Sequence, residues 1–219
     1  MPAMDVLYVD NHLLALNKPA GLLTQPSGTS EDNLEDRAKA WVKAEYHKPG
    51  AVFLEAVHRI DRPVAGVVLF ARTSKALSRL NEAMRRGDCE KIYLALVTGD
   101  LPGPDGALND WLLHGDHRAD VVPAGTPGAK AAVLTYTVLR RSAGRSLLRI
   151  VLGSGRYHQI RAQLAQAGCP IVGDHKYGSP ERWLSADGIA LQHATLRISH
   201  PVTRAAMAFT APDIFAAVL

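Results

Sequence analysis

Residues 55–73 read EAVHRIDRPVAGVVLFART, and their order decides the fold. An acid, Asp61, stands between Arg59 and Arg62. A Pro-Val-Ala-Gly turn follows, and then residues 67–71 run apolar without alternation. A short apolar run bounded by turn residues predicts a buried strand. Immediately after it, Thr73 or Ser74 is placed to cap a helix whose spacing is marked by Leu77, Leu80 and Met84 and whose end is marked by Gly87.

The same grammar extends outward. The runs DVLYVD, LLALNK, KIYLALVTG, VLTYTVLRR, SLLRIVLG, ALQHATLRIS and AAMAFTA recur with Gly, Pro, Asn or Asp between them, as strands and turns do. Helical spacing shows at Leu34, Ala38, Trp41 and Val42 behind Asn33, and at Ile160, Leu164 and Ala167 before Gly168. Strands and helices do not alternate regularly, so the pattern predicts an α+β fold. Its expected form is a mixed, largely antiparallel central sheet with flanking helices, not a doubly wound parallel one. The expected unit is a single catalytic domain over 1–219, with residues 101–129, rich in Gly, Pro and Asp, forming a long loop or insertion.

Composition narrows the function. With 219 residues, 47% hydrophobic and 21% charged, the chain is long enough and apolar enough for a sizeable core. Twenty-five Lys and Arg against 21 Asp and Glu leave a net charge of +4, with a pI of about 9.2; this permits an anionic partner without demanding one. Cys89 and Cys169 are too few for a disulfide framework. No apolar run approaches the roughly 20 residues of a membrane helix, and the N-terminal sequence does not read as a secretory signal. The expectation is a cytoplasmic protein without a membrane segment.

Several residues could carry chemistry. Arg59 and Arg62 would favour the ionised form of Asp61 if their side chains reach it, which suits a nucleophile and equally a structural ion pair. On strand geometry, Arg59 and Asp61 would share one face and Ile60 and Arg62 the other. GSGRYHQIRAQLAQAGCPIVGDHKYG packs Arg156, Tyr157, His158, Gln159 and Arg161 onto an incipient helix. Spacings of three and four put Tyr157, His158 and Arg161 on one side, either as an anion site near a helix start or as an ordinary amphipathic helix. Tyr93 lies mid-strand, where packing is the usual role of an aromatic. His114 and His117 lack companion ligands, so no metal is expected. No G-x-x-x-x-G-K-S/T or G-x-G-x-x-G loop occurs, removing the usual signals of nucleotide hydrolysis and nicotinamide chemistry.

Taken in order, VLYVDNHLLALNKPAGLLTQPSG, HRIDRPVAGVVLFARTSKAL, CEKIYLALVTG, GRYHQIRAQLAQAGCPIVGDHKYG and LQHATLRISHPVT resemble the RluA-type pseudouridine synthases over nearly the whole chain. The H-R-[LI]-D and H-Q-[IL]-R elements carry the resemblance, with N-K-P-A-G and H-P-x-T in support. It implies the pseudouridine synthase fold and an isomerase that converts uridine in RNA, ribosomal or transfer, to its C-glycoside without a cofactor. The essential carboxylate maps onto Asp61, the arginine that pairs with it onto Arg161, and the tyrosine that stacks on the target base onto Tyr93. Arg59 maps onto a position implicated in RNA binding and base extrusion; Arg62, Lys91, Arg156 and His158 are the other expected RNA contacts. Two departures bear on the RNA-facing rim. Tyr157 stands where many members have threonine, and Arg62-Pro63-Val64-Ala65-Gly66 replaces the common continuation after the acid. The small N-terminal RNA-binding domain of many members is not expected, and a monomer is. The competing readings are a non-catalytic RNA-binding or RNA-folding protein of the same fold, and a glycoside hydrolase, which would need a second placed acid.

Overall fold

The computed structural model describes residues 4–28, 30–216 and 218. Its contacts group the chain into two compact units, Met1–Glu90 with His193–Pro212, and Lys91–Gln192 with Asp213–Leu219.

In the first unit, β1 (Val6–Val9) pairs with β2 (Leu13–Lys18), which pairs with β4 (Ala65–Ala71). The two-residue β3 (Glu55–Ala56) also pairs with β4, and β10 (Leu191–Ser199) pairs with β11 (Ala206–Thr210). All four pairings are antiparallel. The unbroken apolar run is explained by burial on both faces: Val67, Val68, Leu69, Phe70 and Ala71 are all inaccessible. Val67, Leu69 and Ala71 face a cluster with Leu13, Ala15, Ala76, Leu80, Leu196 and Phe209. Ala76 and Leu80 belong to α2 (Ser74–Arg86), started by the Thr73 hydroxyl accepting the Ala76 N–H and ended by Gly87 at φ 79°. The first helix, α1 (Leu34–Glu45), is capped by Asn33, whose side chain accepts the Asp36 N–H.

In the second unit, β5 (Glu90–Thr98), β9 (Arg145–Leu152), β8 (Lys130–Ser142), β6 (Asp105–Gly115) and β7 (Arg118–Val122) pair in that order, antiparallel throughout. Helix α3 (Gln159–Gln166) packs against β6 and β7 around Leu112, Ala119, Ala132, Ala162 and Tyr177. Most of segment 101–129, expected as a long loop or insertion, is the β6–β7 hairpin. Its inward residues are diluted by Gly106 and Asp110, and the Gly- and Pro-rich flanks hid the period of two. Gly106 is part of that dilution, and the fold requires it. A Cβ there would lie 2.7–3.0 Å from the Tyr136 ring, which occupies the space opposite. No described helix is long and apolar enough to cross a membrane.

Candidate active site

Asp61 lies in the first unit, half-buried, in the turn between β3 and β4 and not on a strand. Strand-face alternation therefore does not govern which of its neighbours share a side. The turn closes through the Val64 N–H donating to the Asp61 carbonyl at 3.0 Å. Segment 18–24 grips it on both flanks. Before the acid, the Thr24 hydroxyl donates to the Ile60 carbonyl at 2.9 Å and accepts the Ile60 N–H at 3.3 Å. After it, the Arg62 carbonyl accepts from the Gly21 N–H at 2.8 Å and from Lys18 Nζ at 3.1 Å. Lys18 is 0% exposed, and its ammonium also donates to the carbonyls of Leu22 at 2.6 Å and Pro19 at 2.9 Å. Burial pushes its pKa from 10.5 down to about 7; the Asp61 carboxylate pulls it up and the Arg62 guanidinium pulls it down. The N-K-P-A-G element thus forms the clamp of the acid turn.

Two histidines complete the frame of this turn. His58 Nε2 accepts the Leu69 N–H at 3.2 Å, so its proton sits on Nδ1. Its ring meets the His193 ring edge-on at 5.2 Å, and His193 Nδ1 donates to the Val67 carbonyl at 2.7 Å. Gly66, the second residue of β4, has φ +117°, and a Cβ there would fall 2.2 Å from the His193 carbonyl oxygen. Only glycine meets both conditions.

Arg161 and Tyr93 belong to the second unit. Tyr93, 8% exposed, sits in β5 opposite Ile150. Arg161 is 4% exposed, and its Nε and Nη2 donate to Asp174 Oδ2 and Oδ1 at 2.6 and 2.9 Å. This two-point geometry suits a planar guanidinium. Its Cζ lies 5.0 Å from the centroid of the Tyr177 ring. Asp174 precedes and Tyr177 ends a single 3-10 turn, His175–Tyr177, so GDHKYG is the structural partner of HQIR.

His158 is drawn into the same network. It precedes α3 in the left-handed conformation, at φ 52°. Arg161 Nη1 lies 2.9 Å from its Nε2, and because arginine only donates, that nitrogen accepts. Nδ1 therefore carries the proton and donates to Tyr177 Oη at 2.9 Å. The Tyr177 hydroxyl in turn donates to the Ala119 carbonyl and accepts the Ala119 N–H. Burial, then the Arg161 charge, lowers the His158 pKa from 6.5 to about 3, so the ring is neutral. Residues 159–164 of α3 are all buried. Its polar side chains serve the interior, so the expected anion site at its start is not open.

The expected RNA contacts separate accordingly. Arg59, Arg62 and Arg156 are exposed. Arg62 donates to the Gly21 carbonyl and to Glu31 at 2.9 Å, and Arg156 to the Ala131 carbonyl at 3.0 Å. Lys91 is half-buried, its Nζ beside Gly155. His158, 8% exposed, has both ring nitrogens engaged and lies beneath the surface. Sequence reasoning passed over Lys18, Thr24 and Asp174 as site residues, although each falls inside a quoted motif. The signal for Lys18 was a lysine ending an otherwise apolar strand.

Solved structures share this fold. Human RNA Pseudouridylate Synthase Domain Containing 4 aligns with a TM-score of 0.79 at 21% identity, over 95% of this chain and 88% of that one. Human RNA Pseudouridylate Synthase Domain Containing 1 gives 0.75 at 20%, over 97% and 84%. The architecture is that of pseudouridylate synthase domains. Residues 12–166 match the family described as RNA pseudouridylate synthase. The dual-specificity RNA pseudouridine synthase RluA of Haemophilus influenzae is 32% identical over 98% of this chain and 95% of its own length. RluA of Escherichia coli O6:H1 is 35% identical over 98% and 95%. Ribosomal large subunit pseudouridine synthase C of Escherichia coli K12 is 34% identical over 94% and 66%. The chain belongs to the RNA pseudouridylate synthase family, whose members are isomerases.

Proposed function

We propose that this protein isomerises uridine to pseudouridine in structured RNA of the ribosomal or transfer class, with Asp61 as the essential carboxylate. The observation that carries the reading is the acid turn: the peptides on both sides of Asp61 are fixed by Lys18, Gly21 and Thr24. A turn so restrained holds a carboxylate in one place, as attack on a ribose requires.

In this reading Asp61 acts on the ribose, as nucleophile at C1′ or as base at C2′. The N1–C1′ bond breaks, the uracil turns, C5 bonds to C1′, and the C5 proton leaves as N1 gains one. The change is an isomerisation and calls for no redox cofactor. Tyr93 stacks on the freed uracil and assists loss of the C5 proton. Arg161 keeps the acid ionised and oriented, and His158, first expected at the RNA, orients Arg161 instead. Arg59, Arg62, Lys91 and Arg156 contact the RNA backbone or fill the space left by the flipped base, offsetting an unstacking cost of a few kcal/mol. The protein acts as a monomer.

The test is tritium release from RNA labelled at uridine C5, taken from cells lacking the protein, with wild type and Asp61→Asn side by side. Release by wild type alone is expected. Equal release by both removes Asp61 from the chemistry, and release by neither, with RNA still bound, leaves a binding protein.

A further inference from the structure

Tyr157 lies in contact with two histidine rings. It stacks on His158, centroids 3.9 Å apart and planes 17° apart. On its other side it meets the His114 ring at 4.2 Å and 42°. Three rings thus form a ladder running from the buried Arg161 network to the surface of β6. Its inner rung is fixed, because both His158 nitrogens are hydrogen-bonded. Its middle rung is half-buried against the cluster of Leu112, Ala119 and Ala162. Its outer rung, His114, is exposed.

An exposed flat ring held in register by two rings beneath it is pre-organised for another flat ring. Cations lie nearby. Lys176 acts on His158 together with His114 and donates to the His117 carbonyl at 3.1 Å. Arg118, at the end of the same hairpin, places its guanidinium 4.9 Å from the Tyr177 ring centroid. Asp120 pairs with Arg118, and the exposed Lys176 ammonium is a charge for a phosphate next to the ladder.

We propose that His114, supported by Tyr157, is a stacking platform for a nucleobase of the RNA outside the reacting uridine, and so a determinant of which RNA is accepted. This rests on the isomerase reading and deepens it. Every base has a π-face, so the platform selects for an unpaired nucleotide at that place more than for its identity. A threonine at position 157 would leave His114 without that ring beneath it.

The test uses the full-length protein and a short RNA hairpin bearing a fluorescent purine analogue in its loop, because stacking on an aromatic ring quenches such a probe. His114→Ala and Tyr157→Thr are expected to bind roughly tenfold more weakly and to lose the quench, while His114→Phe and Tyr157→Phe retain both. An unchanged Kd and quench in His114→Ala, or no quench with wild type, overturns the platform. Neither readout needs turnover: failed tritium release by wild type overturns the isomerase reading, and an unchanged quench overturns only the platform. Circular dichroism of Tyr157→Thr shows whether a loss reflects unfolding; in that case the exposed His114→Ala alone decides.

Discussion

Among the described residues each unit buries one lysine or arginine, and the two are satisfied in opposite ways. Lys18 in the first unit spends its ammonium on three backbone carbonyls. Arg161 in the second gives its fork to a carboxylate and a neutral imidazole. A compact ammonium with rotatable donors gathers loops, whereas a planar guanidinium fixes side chains. Lys18 therefore determines where a backbone turn goes, and Arg161 determines how a set of side chains is aimed. The difference extends to pH, since a lysine near pKa 7 titrates in the working range and an arginine does not.

The largest expected effect tests the arginine side. Asp174→Ala removes the carboxylate that takes two donors of a buried guanidinium, and should cost about 3–5 kcal/mol in urea unfolding. A loss under ~1 kcal/mol would erase the contrast between the two cations. Next comes Lys18→Met, which orphans carbonyls around the acid turn and should cost ~1–3 kcal/mol. Between about pH 7 and 10.5 the unfolded chain keeps a proton on Lys18 that the folded chain has shed. Stability from this group rises with pH across that window, and is lowest below it. Subtracting the Lys18→Met curve from wild type should expose that rise, and a flat difference would argue against the buried ammonium.

His158→Gln sharpens the comparison at acid pH. The folded pKa of about 3 lies below the unfolded 6.5, so its contribution is whole above pH 6.5 and is lost as pH falls toward 3. The variant should lose ~1 kcal/mol at neutral pH and show a shallower acid limb; an unchanged limb would place the titration elsewhere. The smallest effect belongs to Glu31→Gln, which breaks an exposed pair with Arg62. It should shift unfolding by less than ~1 kcal/mol, and a larger shift would make Arg62 part of the clamp.

What was legible in the sequence was whatever one element declares about itself. The N-caps of α1 and α2, the Gly87 stop of α2 and the buried strand β4 follow from local chemistry, and the sequence reading placed them. The β6–β7 hairpin escaped because Gly and Pro at its ends outweighed a faint alternation. The acid turn was misread as strand because His58 to Val64 take their shape from Lys18 and Thr24, 44 and 36 residues away from their acceptors. Asp174 went unassigned for the same reason: a buried carboxylate has meaning only once its guanidinium is known. Local pattern reports burial, whereas the partners of buried polar groups come from distant segments.

The clamp also defines what part of the chain is a working module. Residues 25–219 contain Asp61, Tyr93 and Arg161, so a fragment cut there would look complete by its motifs. It would lack the Lys18 ammonium, the Gly21 amide and the Thr24 hydroxyl that hold the peptides around Asp61. For dissection, fusion or circular permutation, the smallest meaningful piece begins upstream of β2, well before the first reactive residue.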